Sequence, residues 1–485
     1  MTIKDLDPSL VWKNFYALTQ IPRPSKKEAK AVGYLYEFGK SLGLETIKDE
    51  VGNIIIKKPA TPGMEGRRGV ILQGHIDMVP QKNADKVHDF EKDPITTLVD
   101  GDWVRADGTT LGADNGLGVA VALSVLESKD LKHGPVEVLV TVDEETGMTG
   151  ANALKPGLLD GDILINLDSE TEGELYVGCA GGLDATASLK YEMKPAPAGY
   201  KAYRISAKGM KGGHSGMDII LYRANANKVL VRALVPLLRE NGVKLVSVDG
   251  GNMRNAIPRE AFADVLVPED MVSAAESFVA SVRKDVKNEY AATDPDAELL
   301  MEPLDSAPAS YIDDNAALSM LRAVNACPNG VWRMSDAVPG LVETSNNVAI
   351  VSAADGLFQV KTLMRSSVDS EKEALAEEFR SLFELAGAET SFTGGYSGWA
   401  PNSNSLILHT MKKVYSGMYG KEPAVMAIHA GLECGILGGT YPHWDMVSCG
   451  PTILSPHSPD ERVNIPSVKK WWDFLVKVLE EIPEK

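Results

Sequence analysis

The sequence predicts an α/β protein: a largely parallel sheet covered by helices, interrupted midway by a second, α+β domain. Three observations carry that prediction. From about Lys13 to Lys190, helical periods alternate with short apolar runs, the pattern of βαβ units. A composition break follows GCAGG (178–182), and the Pro- and Gly-containing KPAPAGY (194–200) marks the crossing into different patterning. Turn-forming residues return at GGYSGWAPNSN (394–404), after which a helix, apolar strands and the closing helix VKKWWDFLVKVLEE rejoin the first domain. The expected organisation is therefore a discontinuous domain of residues 1–185 and 393–485, with residues 186–392 inserted where the ends of a surface loop lie close together. At roughly 100–200 residues per domain, a chain of 485 residues accommodates both.

In the first domain, KKEAKAVGYLYEFGKSLG and GLGVAVALSVLES read as helices. VILQG near 70–74, VEVLVTV at 136–142 and DILINL at 162–167 read as strands, because each is rich in β-branched or aliphatic side chains. All three run into acidic or histidine residues. In the inserted region, ANANKVLVRALVPLL with FADVLVPEDMVSAAESFVASVRKDV is echoed by NAALSMLRAVNA with FQVKTLMRSSVDSEKEALAEEFRSLFELAG. In each passage a strand runs into an acidic turn and an amphipathic helix, which suggests a duplicated α/β unit.

Composition removes several function classes. Hydrophobic residues at 44% and charged residues at 24% describe an ordinary folded chain. The formal charge is 49 − 67 = −18, so a phosphate backbone or an anionic bilayer would be repelled. Neither nucleic acid nor membrane is expected as a partner. The longest apolar stretch, about Leu117 to Leu126, is roughly half of what a membrane helix requires. Cys179, Cys327, Cys434 and Cys449 share no C-x-x-C spacing, and the acidic N-terminus MTIKDLDPSLVWKNF lacks the pattern of an export signal. A reducing, cytoplasmic location is expected.

Five short segments carry candidate chemistry. In Gly74-His75-Ile76-Asp77, strand alternation puts His75 and Asp77 on one side, where a carboxylate can orient an imidazole. Leu111-Gly112-Ala113-Asp114-Asn115-Gly116 is a glycine-bounded turn opening into a helix, in which Asp114 could cap the helix or face a ligand. Asp143-Glu144-Glu145 sets three carboxylates beyond a buried strand, a costly arrangement unless solvent or cations absorb the charge. Asp168 repeats that placement after a further strand. Pro456-His457-Ser458-Pro459-Asp460-Glu461-Arg462 is a tight turn carrying one of only eight histidines. Each alone also reads as an ordinary surface loop. Together they would converge at the carboxyl edge of one sheet, where open α/β folds bind ligands.

If Asp114 bridged two divalent ions while Glu145 and Asp168 bound one each, three carboxylates and a hydroxide would balance four positive charges. Mixed His nitrogen and carboxylate oxygen suits zinc first, with manganese or cobalt as alternatives.

The ordered set GHIDMVPQK, LGADNGLGVA, VDEETGMTGA, NLDSE, GGHSG, RNAIP, HAGLECG and SPHSPDERV resembles the di-zinc aminoacylase and carboxypeptidase metallopeptidase family, in its dipeptidase branch, over essentially the whole chain. The resemblance implies a zinc-peptidase-like α/β catalytic domain with an inserted lid domain. It implies that His75 and Asp168 bind one zinc, that Glu145 and His457 bind the other, and that Asp114 bridges them across a cis Asp114–Asn115 peptide. Asp77 would support His75. Glu144 would act as general base toward a zinc-bridging water in hydrolysis of dipeptides, including Xaa-His dipeptides such as β-Ala-His.

From the lid, His214 in KGGHSG would polarise the scissile carbonyl, in dimeric relatives from the neighbouring subunit, so a homodimer is expected. Asn255 in RNAIP and Arg365 in LMRSS are candidates for substrate binding. His429 and Gly431 of HAGLECG, with Glu433, would line the pocket. Other readings within reach are an aminoacylase or exopeptidase acting on N-acyl amino acids or longer peptides, a mononuclear hydrolase, and a non-catalytic peptide-binding protein.

Overall fold

Three apolar runs that are buried at every position, Val70–His75, Val136–Thr141 and Ile163–Asn166, form the centre of an eight-stranded sheet. Strands buried on both faces read as continuous aliphatic runs because neither face meets water. The computed structural model describes residues 2–336, 338–402 and 404–485. Val136–Thr141, Val70–His75, Ile163–Asn166 and Asp445–Ser448 lie side by side in parallel. Glu45–Lys48, Ile54–Lys58 and Glu174–Cys179 join antiparallel. The expected largely parallel sheet is thus a parallel centre with antiparallel flanks. At one flank the Lys48-to-Ile54 connection is too short for a parallel crossover, which takes a dozen or more residues.

The helix Ala113–Glu127 is buried all round and packs on the Val70–His75 strand and on the helix Ser9–Thr19. Its apolar run is a core helix. No helix among the described residues is long and apolar enough to cross a membrane. A four-stranded sheet in the order Ile453–Leu454, Arg462–Asn464, Trp103–Ala106, Thr97–Asp100 carries the hairpin that holds His457.

Contacts divide the chain into two units, one of residues up to Gly178 with Pro401–Ala427 and Leu432–Lys485, the other of Cys179–Ala400 with Ile428–Gly431. The expected boundaries at 186 and 393 shift to 179 and 401. The physical reason is strand pairing: Gly181–Lys190 and Glu389–Tyr396 pair with each other in the second unit's sheet, so both belong to it. The short return of Ile428–Gly431 has no composition signal.

The second unit's main sheet runs Glu298–Pro303, Tyr200–Lys208, Ala261–Pro268, Lys244–Gly250, Val342–Ala354, Leu357–Ser366, Gly181–Lys190, Glu389–Tyr396, with Gly330–Met334 paired to Val342–Ala354. The order repeats outward from the middle. Each half places the strand preceding its final helix second from the centre and the strand following that helix at the edge. The helices Ala226–Glu240 and Val272–Glu289 serve one half, Asp314–Ala326 and Asp369–Leu385 the other. Their apolar faces and the sheet make one core.

Candidate metal centre

Parallel strands end together, so the residues just past them meet. His75 ends its strand, Asp168 lies two residues beyond Asn166, and Glu144 and Glu145 start a short helical turn after Thr141. His75 Nε2 stands 3.2 Å from Asp114 Oδ1 and 3.3 Å from Asp168 Oδ1. His457 Nε2 stands 3.0 Å from Asp114 Oδ2 and 3.0 Å from Glu145 Oε2. Two imidazole–carboxylate clusters therefore share one aspartate, each reaching a different oxygen of it. Asp114 is not a helix cap. It and Asn115 have non-helical backbone within the Ala113–Glu127 segment, and the Asp114–Asn115 peptide is cis.

Asp77, wholly buried, lies behind both clusters. Its Oδ1 is 3.2 Å from His75 Nδ1, which leaves Nε2 facing Asp114 and Asp168. The same carboxylate accepts the backbone N–H groups of Glu144 at 3.0 Å and Glu145 at 3.2 Å, and the Ser25 hydroxyl at 2.8 Å. Burial works against its charge, but these donors and His75 hold its pKa at about 2.

The donor set fits a pair of divalent cations. Ligand atoms bound about 2.0–2.1 Å from one tetrahedral ion stand about 3.3 Å apart, close to the nitrogen–oxygen separations in both clusters. Glu145 Oε1 is buried without a hydrogen-bond partner among the described residues. As protein groups alone, the cluster is electrostatically crowded. Hydrogen bonds to Asp114 and Glu145 push His457 up to about 11. Burial pushes Asp168 up to about 7 against the pull of His75. Burial also holds Glu144 well above the usual carboxylate range, with Asp168, Glu433 and Glu145 adding repulsion. Each shift takes up protons where cations would remove the need for them.

Arg23, Gln73 and Thr141 were not singled out from sequence, whereas Glu433 was expected to line the pocket. Arg23, 1% exposed, donates from Nη1 to Ile76 O at 2.8 Å and Asp77 O at 3.2 Å, and from Nη2 to Gly112 O at 2.6 Å. A Cβ on Gly112, at φ +69°, would stand 2.5 Å from Arg23 Nη2, so this glycine admits a side chain of the protein itself. Glu433, fully buried, accepts from Gln73 Nε2 at 2.6 Å and Thr141 Oγ1 at 2.7 Å. Gln73 in turn accepts from Asn166 at 2.6 Å. Gln73 and Asn166 precede His75 and Asp168 by two positions, so strand alternation places them on the ligands' side of the sheet, and Thr141, 3.3 Å from Gln73 Nε2, joins the same belt. A polar residue two before each of these two ligands in otherwise aliphatic strands was the available signal.

In the second unit, Gly213–His214 pairs with Ala256–Ile257, which brings His214 and the exposed Asn255 onto one ribbon. His214 Nδ1 accepts the N–H groups of Gly216 at 3.2 Å and Met217 at 3.1 Å, so its neutral ring carries the proton on Nε2. Burial, then the charge of Arg365, lowers its pKa. Gly216 is required by crowding: a Cβ there would lie 2.1 Å from His429 O. Arg365 is 5% exposed, with Tyr396 Oη 3.2 Å from Nη1 and Ser215 Oγ 3.5 Å from Nε. Among the described residues no carboxylate pairs with it within 4.0 Å. His429 Nε2 is 2.7 Å from Ser345 Oγ, and burial with Arg365 lowers its pKa to about 3. Gly431 closes the Ile428–Gly431 segment, whose Ile428 and Ala430 carbonyls accept the Ala180 N–H.

A family model described as peptidase family M20/M25/M40 matches residues 71–481. The chain is 47% identical to the cytosol non-specific dipeptidase of Escherichia coli (strain K12), covering 100% of this chain and 99% of that one. The crystal structure of aminoacylhistidine dipeptidase from Vibrio alginolyticus superposes with a TM-score of 0.96 at 47% identity, over 100% of this chain and 99% of the other. The aminopeptidase PepT of Bacillus cereus, at 16% identity, a TM-score of 0.58 and 98% and 99% coverage, shares the fold. With a family model spanning most of its length and a full-length relative at such identity, this chain belongs to peptidase family M20/M25/M40.

Proposed function

We propose that this chain is a metal-dependent dipeptidase of broad specificity, Xaa-His dipeptides included, that binds two zinc ions through His75, Asp168, Asp114, Glu145 and His457. The observation that carries this reading is the sharing of Asp114: its two oxygens face two separate imidazole–carboxylate clusters. Manganese or cobalt would suit the same donors. Two bound divalent ions supply Lewis acidity, lowering the pKa of a water and polarising the scissile carbonyl.

The chain's own residues do the rest. Glu144 takes the proton of the attacking water and returns it to the leaving amine. Its buried position favours the protonated form it needs between the two transfers. Asp77 fixes the ring of His75 and, through two backbone hydrogen bonds, the positions of Glu144 and Glu145. His214 donates from Nε2 to the carbonyl oxygen as charge develops there. Arg365, with no carboxylate within 4.0 Å among the described residues, receives the substrate carboxylate, and Tyr396 orients it. Asn255, His429 and Gly431 complete the substrate-facing set.

The chain acts as a homodimer in this reading. Met217, Leu221, Tyr222, Met253, Trp332 and Met334 are exposed in the segments around the small apolar cluster of Ile219, Ile257 and Val342, a surface a second copy would cover. Mixing inactive His214→Ala and Glu144→Ala chains tests whether His214 acts across the dimer: recovered activity supports it, and none returns His214 to its own subunit. A cytosolic location accords with four buried cysteines, none in a disulfide.

The decisive experiment profiles dipeptides, tripeptides and N-acetyl amino acids with zinc- and manganese-loaded protein. A dipeptidase loses activity when the substrate's free amine is blocked. Preferred cleavage of N-acyl amino acids would replace this reading with an aminoacylase.

A further inference from the structure

We infer that Glu461, which touches no ligand side chain, is a positioning residue that sets the shared aspartate between the two ion positions by gripping the backbone of its turn. The inference rests on the metal assignment above.

Glu461 is 1% exposed, and its carboxylate accepts four consecutive backbone N–H groups. Oε2 takes Leu111 at 2.7 Å and Gly112 at 3.0 Å, while Oε1 takes Ala113 at 2.7 Å and Asp114 at 3.2 Å. Converging backbone N–H groups form an anion-binding concavity, and here the anion is supplied by the protein. Glu461 lies four residues after His457, next to the strand Arg462–Asn464, which pairs with Trp103–Ala106. One carboxylate therefore ties the His457 hairpin directly to the Asp114 turn.

Arg23 grips the opposite polarity of that turn. It takes the Gly112 carbonyl and, through Ile76 and Asp77, the backbone just after His75. Two buried side chains, Glu461 and Arg23, thus join the three segments that present His75, Asp114 and His457, leaving both Asp114 oxygens free for the clusters. Removing Glu461 loosens the His457 side, because the His75 side keeps Arg23 and Asp77. Groups that orient ligands from behind change metal affinity by about 10–100-fold when replaced.

The test is Glu461→Gln, which retains size but turns an amide donor toward two backbone N–H groups. Ion stoichiometry and affinity are measured by chelator competition, beside thermal melting and steady-state kinetics. Wild-type protein must first bind two ions; if it does not, the metal assignment fails independently of this inference. Glu461→Gln should hold one ion as wild type does and bind the second about tenfold or more weakly. Its kcat should fall with KM nearly unchanged, and excess metal should restore kcat.

A merely structural role would lower the melting temperature while leaving both affinities as in wild type, and that result overturns the inference. If Glu461→Gln does not fold, Glu461→Asp, which keeps the carboxylate but shortens its reach to the four N–H groups, is measured instead. Wild-type ion affinities in folded Glu461→Asp would equally overturn it.

Discussion

The two polar clusters of this molecule have opposite electrostatic characters. Around Asp114, carboxylates crowd two histidines until burial lifts Asp168 to about 7 and hydrogen bonds lift His457 to about 11. Around Arg365, one buried guanidinium stands beside two histidines whose pKa values are lowered, and no acid pairs with it within 4.0 Å among the described residues. The first cluster has an excess of negative charge and calls for cations. The second has an excess of positive charge and calls for an anion, such as a substrate carboxylate. Neither is the arrangement of a merely structural polar core, in which charges are paired.

The strongest way to break the comparison is Asp114→Asn, which removes the charge shared by both halves of the acidic cluster. Ion content should fall below two per chain and turnover should vanish, as read by metal analysis and initial rates. Glu144→Ala separates chemistry from binding within the same cluster: turnover should fall about 10²–10⁴-fold with both ions retained. Wild-type-like turnover would remove Glu144 as the base.

Arg365→Ala tests the opposite character of the second cluster. Loss of a charge-assisted contact of about 1.5–3 kcal/mol should raise KM about 10–100-fold, with a smaller change in kcat. Substrates with an amidated C-terminus should not distinguish the variant from wild type.

The smallest effect concerns His429. Burial and the Arg365 charge hold its pKa at about 3, below the usual 6.5, so the folded chain binds fewer protons there than the unfolded chain. Its contribution to stability is complete above pH 6.5 and is lost as the pH falls from 6.5 toward 3. Stability curves of wild type and His429→Gln should therefore converge with acid, by at most about 1.4 kcal/mol per pH unit. Parallel curves would show that the ring is not held neutral by its surroundings.

Much of the acidic cluster was legible because sequence and space coincide there. His75, Glu145 and Asp168 lie at or just past the ends of buried strands, and parallel strands bring their ends together. The strands VILQG, VEVLVTV and DILINL appear as Val70–His75, Val136–Thr141 and Ile163–Asn166, within a residue or two. The rest was hidden for identifiable reasons. Arg23 lies far from Gly112 in sequence, and its burial depends on glycines whose role looked like backbone freedom. Glu461 sat in a quoted motif, but its partners are backbone N–H groups, which leave no trace in side-chain identity. The boundaries at 179 and 401 follow from pairing between Gly181–Lys190 and Glu389–Tyr396, a contact between distant segments that composition does not report.

Composition, hydrophobic period and residue order alone determined the α/β class, the second unit and the residue types of a candidate metal-binding set. Local patterning suffices for these, because burial of alternating or continuous apolar runs depends on neighbours a few positions away. Tertiary structure decided which oxygen of Asp114 faces which histidine, which nitrogen of His214 bears the proton, and that a buried Glu461 and Arg23 grip one turn from its two polarities. Those outcomes rest on angstrom-scale distances between segments up to about 350 residues apart, and no pattern along the chain encodes a distance of that kind.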